Sequence, residues 1–433
     1  MKKIKPIFYC SLFCVLFLGI SYASADYTLD ENFGTDGVTT YDATSADFSA
    51  ASVADENGNV YAAGWTFNGS ARNIILLKYD STGSLAAGFP KTYDSGYEAS
   101  SGDGASGIAL DSAGNVYITG GSENEGGGMD LILLKYDSSG NLAAGFPKFY
   151  DSGFETGIGD FGYGVEVDSS GNVYIVGGTE NAVGGGDIVF LKYDSSGNIA
   201  EGFPKTYDSH NEAGAYGDWG IGIALDSDNV YIAGGIENEA GESEIALFKY
   251  DSSGNLVAGF PKTYDSGILP DGYDYDVGGA VAADSTGNIY VAGGVGNASG
   301  AQDIILLKYD SSGNLEDGFP VTYDSGNFTG DWGDWGTSVV VSSSGDVYIG
   351  GISENGESHP DSIILKYSST GSLYDGYPLT YNDNGAVITQ YINMDEYENI
   401  YAFGGIYDED ITTGDFFLLK YITEPGAPTA NPA

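Results

Sequence analysis

Six aspartates hold the same place in successive stretches of this chain: Asp47, Asp103, Asp160, Asp218, Asp276 and Asp334. Each stands eight residues before the start of a short Asp- or Ser-led turn, and Val387 fills the seventh place. Arranged in a ring, such carboxylates would offer the hard oxygen ligands that Ca2+ takes. Accepting N–H groups from their own loops, the same residues would simply pin turns. No EF-hand or nonapeptide calcium motif accompanies them, so calcium, the one cofactor suggested, rests on this ring as a metal site. The four tryptophans, Trp65, Trp219, Trp332 and Trp335, are the candidate ligand-binding residues. In Gly330-Asp-Trp332-Gly-Asp-Trp335-Gly two indoles stand beside carboxylates, and Gly217-Asp-Trp219-Gly repeats half of it. Flat aromatics with acidic acceptors suit sugar rings. The competing use is packing between repeated units, because Phe161 fills the slot that Trp219 holds in the next repeat.

Other chemistries are poorly supplied. The only cysteines are Cys10 and Cys14, the histidines are His210 and His359 in unrelated stretches, and Arg72 is the single arginine. A cysteine nucleophile, a zinc-binding histidine pair and an arginine clamp are therefore unsupported. No Gly-x-Ser-x-Gly elbow occurs, and the glycines lie in turns without the strand–loop–helix setting of a phosphate cradle. Paired carboxylates of the glycosidase kind are so abundant that their presence selects nothing. With 62 acidic against 15 basic residues the formal charge is −47. Nucleic acid and anionic lipid are excluded as partners, because both need clustered Lys and Arg. A hydrophobic content of 42% with 13% aromatics argues for a folded body rather than a disordered one.

The elements that must position these residues are written as repeats. Lys-Tyr after an apolar run begins at Lys78, Lys135, Lys192, Lys249, Lys308, Lys366 and Lys420. A second marker places Tyr61, Tyr117, Tyr174, Tyr231, Tyr290, Tyr348 and Tyr401, and a third, Gly-Phe/Tyr-Pro, recurs six times from Gly88 to Gly376. Within the unit from Asp160, four β-rich runs are predicted: Tyr163 to Val167, Asn172 to Val176, Ile188 to Tyr193 and Phe203 to Tyr207. Asp168-Ser-Ser-Gly-Asn172 and Asp194-Ser-Ser-Gly-Asn198 link the first to the second and the third to the fourth. Asp starts such turns by bonding its own backbone, and Gly supplies the positive φ. Four antiparallel strands at this period predict an all-β, seven-bladed β-propeller. The seventh unit stops after its third strand, and Val38 to Asp42 reads as a fourth strand with no unit before it. The N-terminal strand is therefore expected to close the last blade. Strand alternation puts the repeated Asp-x-x-Gly-Asn turns on one face, the bottom, and the variable loops, with all four tryptophans, on the top. Each Lys-Tyr lysine, beside a bottom turn, reads as half of a scaffold ion pair.

The pattern Asp-x-Gly-x-Gly-Val-x-Val-Asp-Ser-Ser-Gly-Asn-Val-Tyr-Ile-x-Gly, from Asp160 to Gly177, resembles the bacterial SBBP-type β-propeller repeat. Residues Leu29 to Thr40 and the Leu-Lys-Tyr-Asp-x-x-Gly-x-Leu pieces are similar to the related delta-sixty repeat. The resemblance implies a propeller in an exported or surface protein and no generic catalytic activity.

Residues 1–25 read as a signal peptide, with a basic start, an apolar stretch from Ile7 to Ile20 and Ala23-Ser24-Ala25 before the cut. Residues 26–421 form the propeller and 422–433 a flexible tail. The expected protein is a secreted, periplasmic or cell-surface monomer with no membrane insertion after cleavage. Its expected role is a non-enzymatic binding or surface-interaction module whose top face meets a glycan, a peptide or protein, or a divalent cation. The alternative is a carboxylate-dependent glycoside hydrolase or lyase.

Overall fold

The computed structural model describes residues 27–42, 47–97, 102–154, 159–182, 185–209, 217–268, 276–327, 333–356, 359–383, 385–407 and 414–423. Residues 1–25, expected to be a signal segment, the residues beyond Thr423, Trp332 and His210 lie outside them. Seven antiparallel sheets follow one another around a ring. In the third blade the strands are Phe161–Val167, Val173–Glu180, Gly186–Tyr193 and Lys205–Tyr207, paired in sequence order. The four predicted runs are all present, but the second and third extend further towards the top and the fourth keeps only three residues. In the fourth run, the Pro of Gly-Phe-Pro lacks a ladder donor, so pairing begins after it. Seven first strands, one per blade, stand side by side and wall a central channel.

The ring closes as the sequence requires. Val38–Tyr41 pairs with Phe416 to Leu419 as the outer strand of blade seven. A second short strand, Tyr27–Leu29, extends that edge by pairing with Tyr421 to Thr423. Closure leaves no blade with an unpartnered face.

The core lies between blades. Third-strand residues Ile188, Val189, Phe190 and Leu191 are at most 1% exposed because both faces of that strand meet neighbours. Apolar clusters each span adjacent blades, as where Val176 and Phe190 pack with Ile223, Ile232 and Phe248. Close approach is enforced by glycine in the second strand: a Cβ on Gly177 would stand 1.8 Å from the Phe161 carbonyl oxygen.

The bottom turns satisfy themselves. Asp168 accepts from the N–H groups of Ser170 and Asn172, from Asn172 Nδ2 and from the Tyr174 hydroxyl. The Lys-Tyr lysines correct the ion-pair expectation. Lys78, Lys135, Lys192, Lys249 and Lys308 each donate to a serine carbonyl of the next blade, at 2.8–3.3 Å, while lying over the marker tyrosine of their own. Ion pairs hold only in blades six and seven among the described residues, Lys366 with Asp346 and Lys420 with Asp30. A backbone carbonyl serves because it recurs at every junction, whereas a carboxylate at the receiving turn is already committed to its own loop.

Candidate functional site

The six repeated aspartates are all buried, at 0–3% exposure, one at the head of each of the first six inner strands. Asp160 accepts from Ser152 N–H at 2.6 Å, from Thr179 Oγ1 at 2.6 Å and from Glu180 N–H at 3.3 Å. Asp103 repeats this with Ser95, Ser122 and Glu123. From Asp103 to Asp334, each of these carboxylates thus staples the outer-strand exit of one blade to the second strand of the next. Burial raises the pKa of Asp103, Asp160, Asp218, Asp276 and Asp334 although these hydrogen bonds oppose it. The structure does not gather them: among the described residues no group of three or more His, Cys, Asp or Glu converges as a metal site.

The described tryptophans are engaged in packing. Trp219 covers Gly178 of the preceding blade, where a Cβ would fall 2.3 Å from its ring, and Trp335 covers Gly294 likewise. Trp65 arises from a second strand and is held between Phe48, stacked at 4.2 Å, and the Arg72 guanidinium at 4.3 Å. Both faces of that indole are therefore occupied. Of the three, Trp335 also reaches the channel.

What the channel contains is set by departures from the repeat. Two residues before each turn, the inner strands carry Val53, Ala109, Glu166, Ala224, Ala282, Val340 and Asn393; four before, they carry Ala51, Gly107, Gly164, Gly222, Ala280, Ser338 and Tyr391. Glu166 and Tyr391 are thus the large polar intruders in rings of otherwise small or mostly apolar side chains. They come from blades three and seven and border both halves of the channel: an upper cavity of about 250 Å3 and a lower chamber of about 900 Å3. Trp335, Tyr163 and Gln390 join them around the upper cavity, whose lining among the described residues contains no carboxylate other than Glu166.

Burial pushes the Glu166 carboxyl up to about 7, opposed only by a hydrogen bond from the Val167 N–H. Burial first, and the negative charge of Glu166 second, hold the Tyr391 phenol well above its usual range. A carboxyl half-ionised near neutrality and a phenol that keeps its proton can take and give protons in one cavity. Neither belongs to the residues singled out by recurrence. The signal that finds them is the opposite one, a single blade breaking its slot.

A family model described as a domain of unknown function, DUF5122 β-propeller, matches residues 285–319. No curated protein sequence matches the chain. Among solved structures, it is similar to a polysaccharide lyase of family PL25, an ulvan lyase bound to -[GlcA(1-4)Rha3S]-. The likeness has 12% identity and a TM-score of 0.57, and covers 88% of this chain and 95% of that one. The polysaccharide lyase Uly1 is similar at 11% identity and a TM-score of 0.52, covering 95% and 94%. These findings correct the expectation of a non-enzymatic module. Propellers of like architecture are described as lyases, and the upper cavity of this channel is lined by the Glu166 carboxyl and the phenols of Tyr391 and Tyr163. The chain is a β-propeller repeat protein whose single-blade departures converge on its channel.

Proposed function

We propose that this propeller is a polysaccharide lyase acting on a uronate-bearing polymer, one sugar of which enters the upper cavity of the channel. The observation that carries the reading is the pairing, in the upper cavity, of one described carboxylate, Glu166, with the Tyr391 phenol that its charge bears on. Hydrolysis by the usual route needs two carboxylates roughly 5–9.5 Å apart across the scissile bond, and among the described residues Glu166 has no such partner in the cavity lining. β-Elimination asks for a base and an acid, and for a substrate proton made acidic by an adjacent carboxyl group.

Ionised Glu166 removes the proton beside the sugar carboxylate. The C–H pair becomes the new C=C bond, the bond to the leaving oxygen breaks, and Tyr391 gives that oxygen its proton. The cycle closes when Glu166 returns its proton to the Tyr391 phenolate, which burial makes strongly basic. Gln390 supplies an amide donor in the same cavity for the substrate carboxylate. The shared architecture with the ulvan lyase supports the reading at the level of the fold.

The finer assignment of the repeat to the SBBP type rests on residues 160–177, and export rests on residues 1–25. The test is to follow ultraviolet absorbance of the unsaturated product with ulvan, alginate and polygalacturonate as substrates. Elimination of one polymer is expected. New reducing ends without absorbance would assign hydrolysis instead.

A further inference from the structure

Below the level of Tyr391 the channel widens into the lower chamber, and one of its polar groups is left without a protein partner among the described residues. Asn393 is 8% exposed and lines this chamber. Its Nδ2 donates to Ser52 Oγ at 2.8 Å, while its Oδ1 is buried with no hydrogen-bond partner. An orphaned buried acceptor costs free energy unless something donates to it. Asn393 occupies the same slot of blade seven that Glu166 occupies in blade three, so both bear on one level of the channel.

The rest of the lining narrows what that something is. Asp168 and Asp226 add negative charge at the lower rim, and no Lys, Arg or His is among the described lining residues. Ile392, Met394, Leu110, Leu225 and Val341 supply apolar wall. A volume of about 900 Å3 is of the size that small organic ligands fill, roughly 300–1,000 Å3. A bare metal ion fits less well, since no three acidic groups converge among the described residues.

We infer that the lower chamber is a binding site for a small organic ammonium, of amino-sugar or polyamine size. One N–H donates to Asn393 Oδ1, the positive charge faces Glu166, and the skeleton rests on the apolar wall. The inference shares Glu166 with the proposed lyase site but needs no catalysis, so binding is measurable whether or not elimination occurs.

The experiment is calorimetric titration of the full chain at pH 7 with glucosamine, spermidine and glucose, at matched ionic strength, in two buffers of different ionisation enthalpy. Binding of at least one ammonium compound is expected, with glucose at least ten-fold weaker. Binding should release protons, because a nearby positive charge favours ionised Glu166. The two ammonium arms distinguish an amino sugar from a polyamine. Asn393→Leu should weaken binding about ten- to hundred-fold, and Asn393→Asp, which adds a second carboxylate, should tighten it. Equal binding of glucose and glucosamine, binding without proton release, no binding of either amine, or unchanged affinity in both variants would overturn the inference.

Discussion

Glu166 and Asp168 stand two residues apart at the lower end of one inner strand, yet they are opposite kinds of carboxylate. Asp168 is partly buried, and burial alone would raise its pKa. Hydrogen bonds from Asn172, Ser170 and Tyr174 outweigh that and hold it below its usual value. Glu166 faces the channel with only the Val167 N–H to lower it, and burial pushes it up to about 7. The lesson is that in a chain with 62 acidic residues, number and recurrence mark scaffold. A carboxyl becomes chemically useful where the repeat has withheld its partners.

Substitutions that exchange or erase this contrast should differ in kind as well as size. Glu166→Gln should lower the rate of elimination about a hundred- to ten-thousand-fold, whereas Asp168→Asn leaves it within a few-fold of the parent. Equal losses would erase the distinction. Tyr391→Phe keeps the ring packed against the core of the first two blades and removes only the donor. Its rate should fall by about a hundred-fold, with little change in melting temperature.

The stapling aspartates invert that pattern. Asp160→Ala strands the Ser152 N–H and the Thr179 hydroxyl and should cost about 1–3 kcal/mol of stability, read by chemical denaturation. Glu166→Gln should do the reverse in a pH-dependent way. The folded-state pKa lies above the ordinary value of 4.5, so folding favours the protonated form. Native stability therefore declines as pH rises from 4.5 through about 7. The Gln variant should melt higher than the parent at pH 8 and equally at pH 4. A smaller effect tests the field of the whole molecule: a chain of charge −47 repels a polyanionic substrate, so kcat/KM should rise modestly with added salt.

Most of the fold was legible because a propeller writes itself seven times. The Lys-Tyr steps, the marker tyrosines and the Asp-x-x-Gly-Asn turns each gave a strand or a hairpin. The truncated seventh unit with Val38 to Asp42 gave the closure. The lysine partners were not legible, since a carbonyl of the next blade leaves no mark in composition. The channel residues were not legible either, for a related physical reason. Repetition marks Asp47, Asp103, Asp160, Asp218, Asp276 and Asp334, and for Asp103 to Asp334 buried hydrogen bonds give it a structural cause. Trp219 and Trp335 recur for a similar cause, as covers for glycines in the preceding blade. Glu166 and Tyr391 occur once each, and only their slots, held by Val, Ala, Gly or Ser in most other blades, set them apart.

The contrast can be read in one sample. Carbon-13 NMR of side-chain carboxyls, with Glu166 and Asp168 assigned by Glu166→Gln and Asp168→Asn, would follow both groups through a pH titration. A Glu166 midpoint near 7 beside an Asp168 midpoint below 3.8 is expected. Glu166 titrating near 4.5 would contradict the assignment of this residue as the working base of the channel.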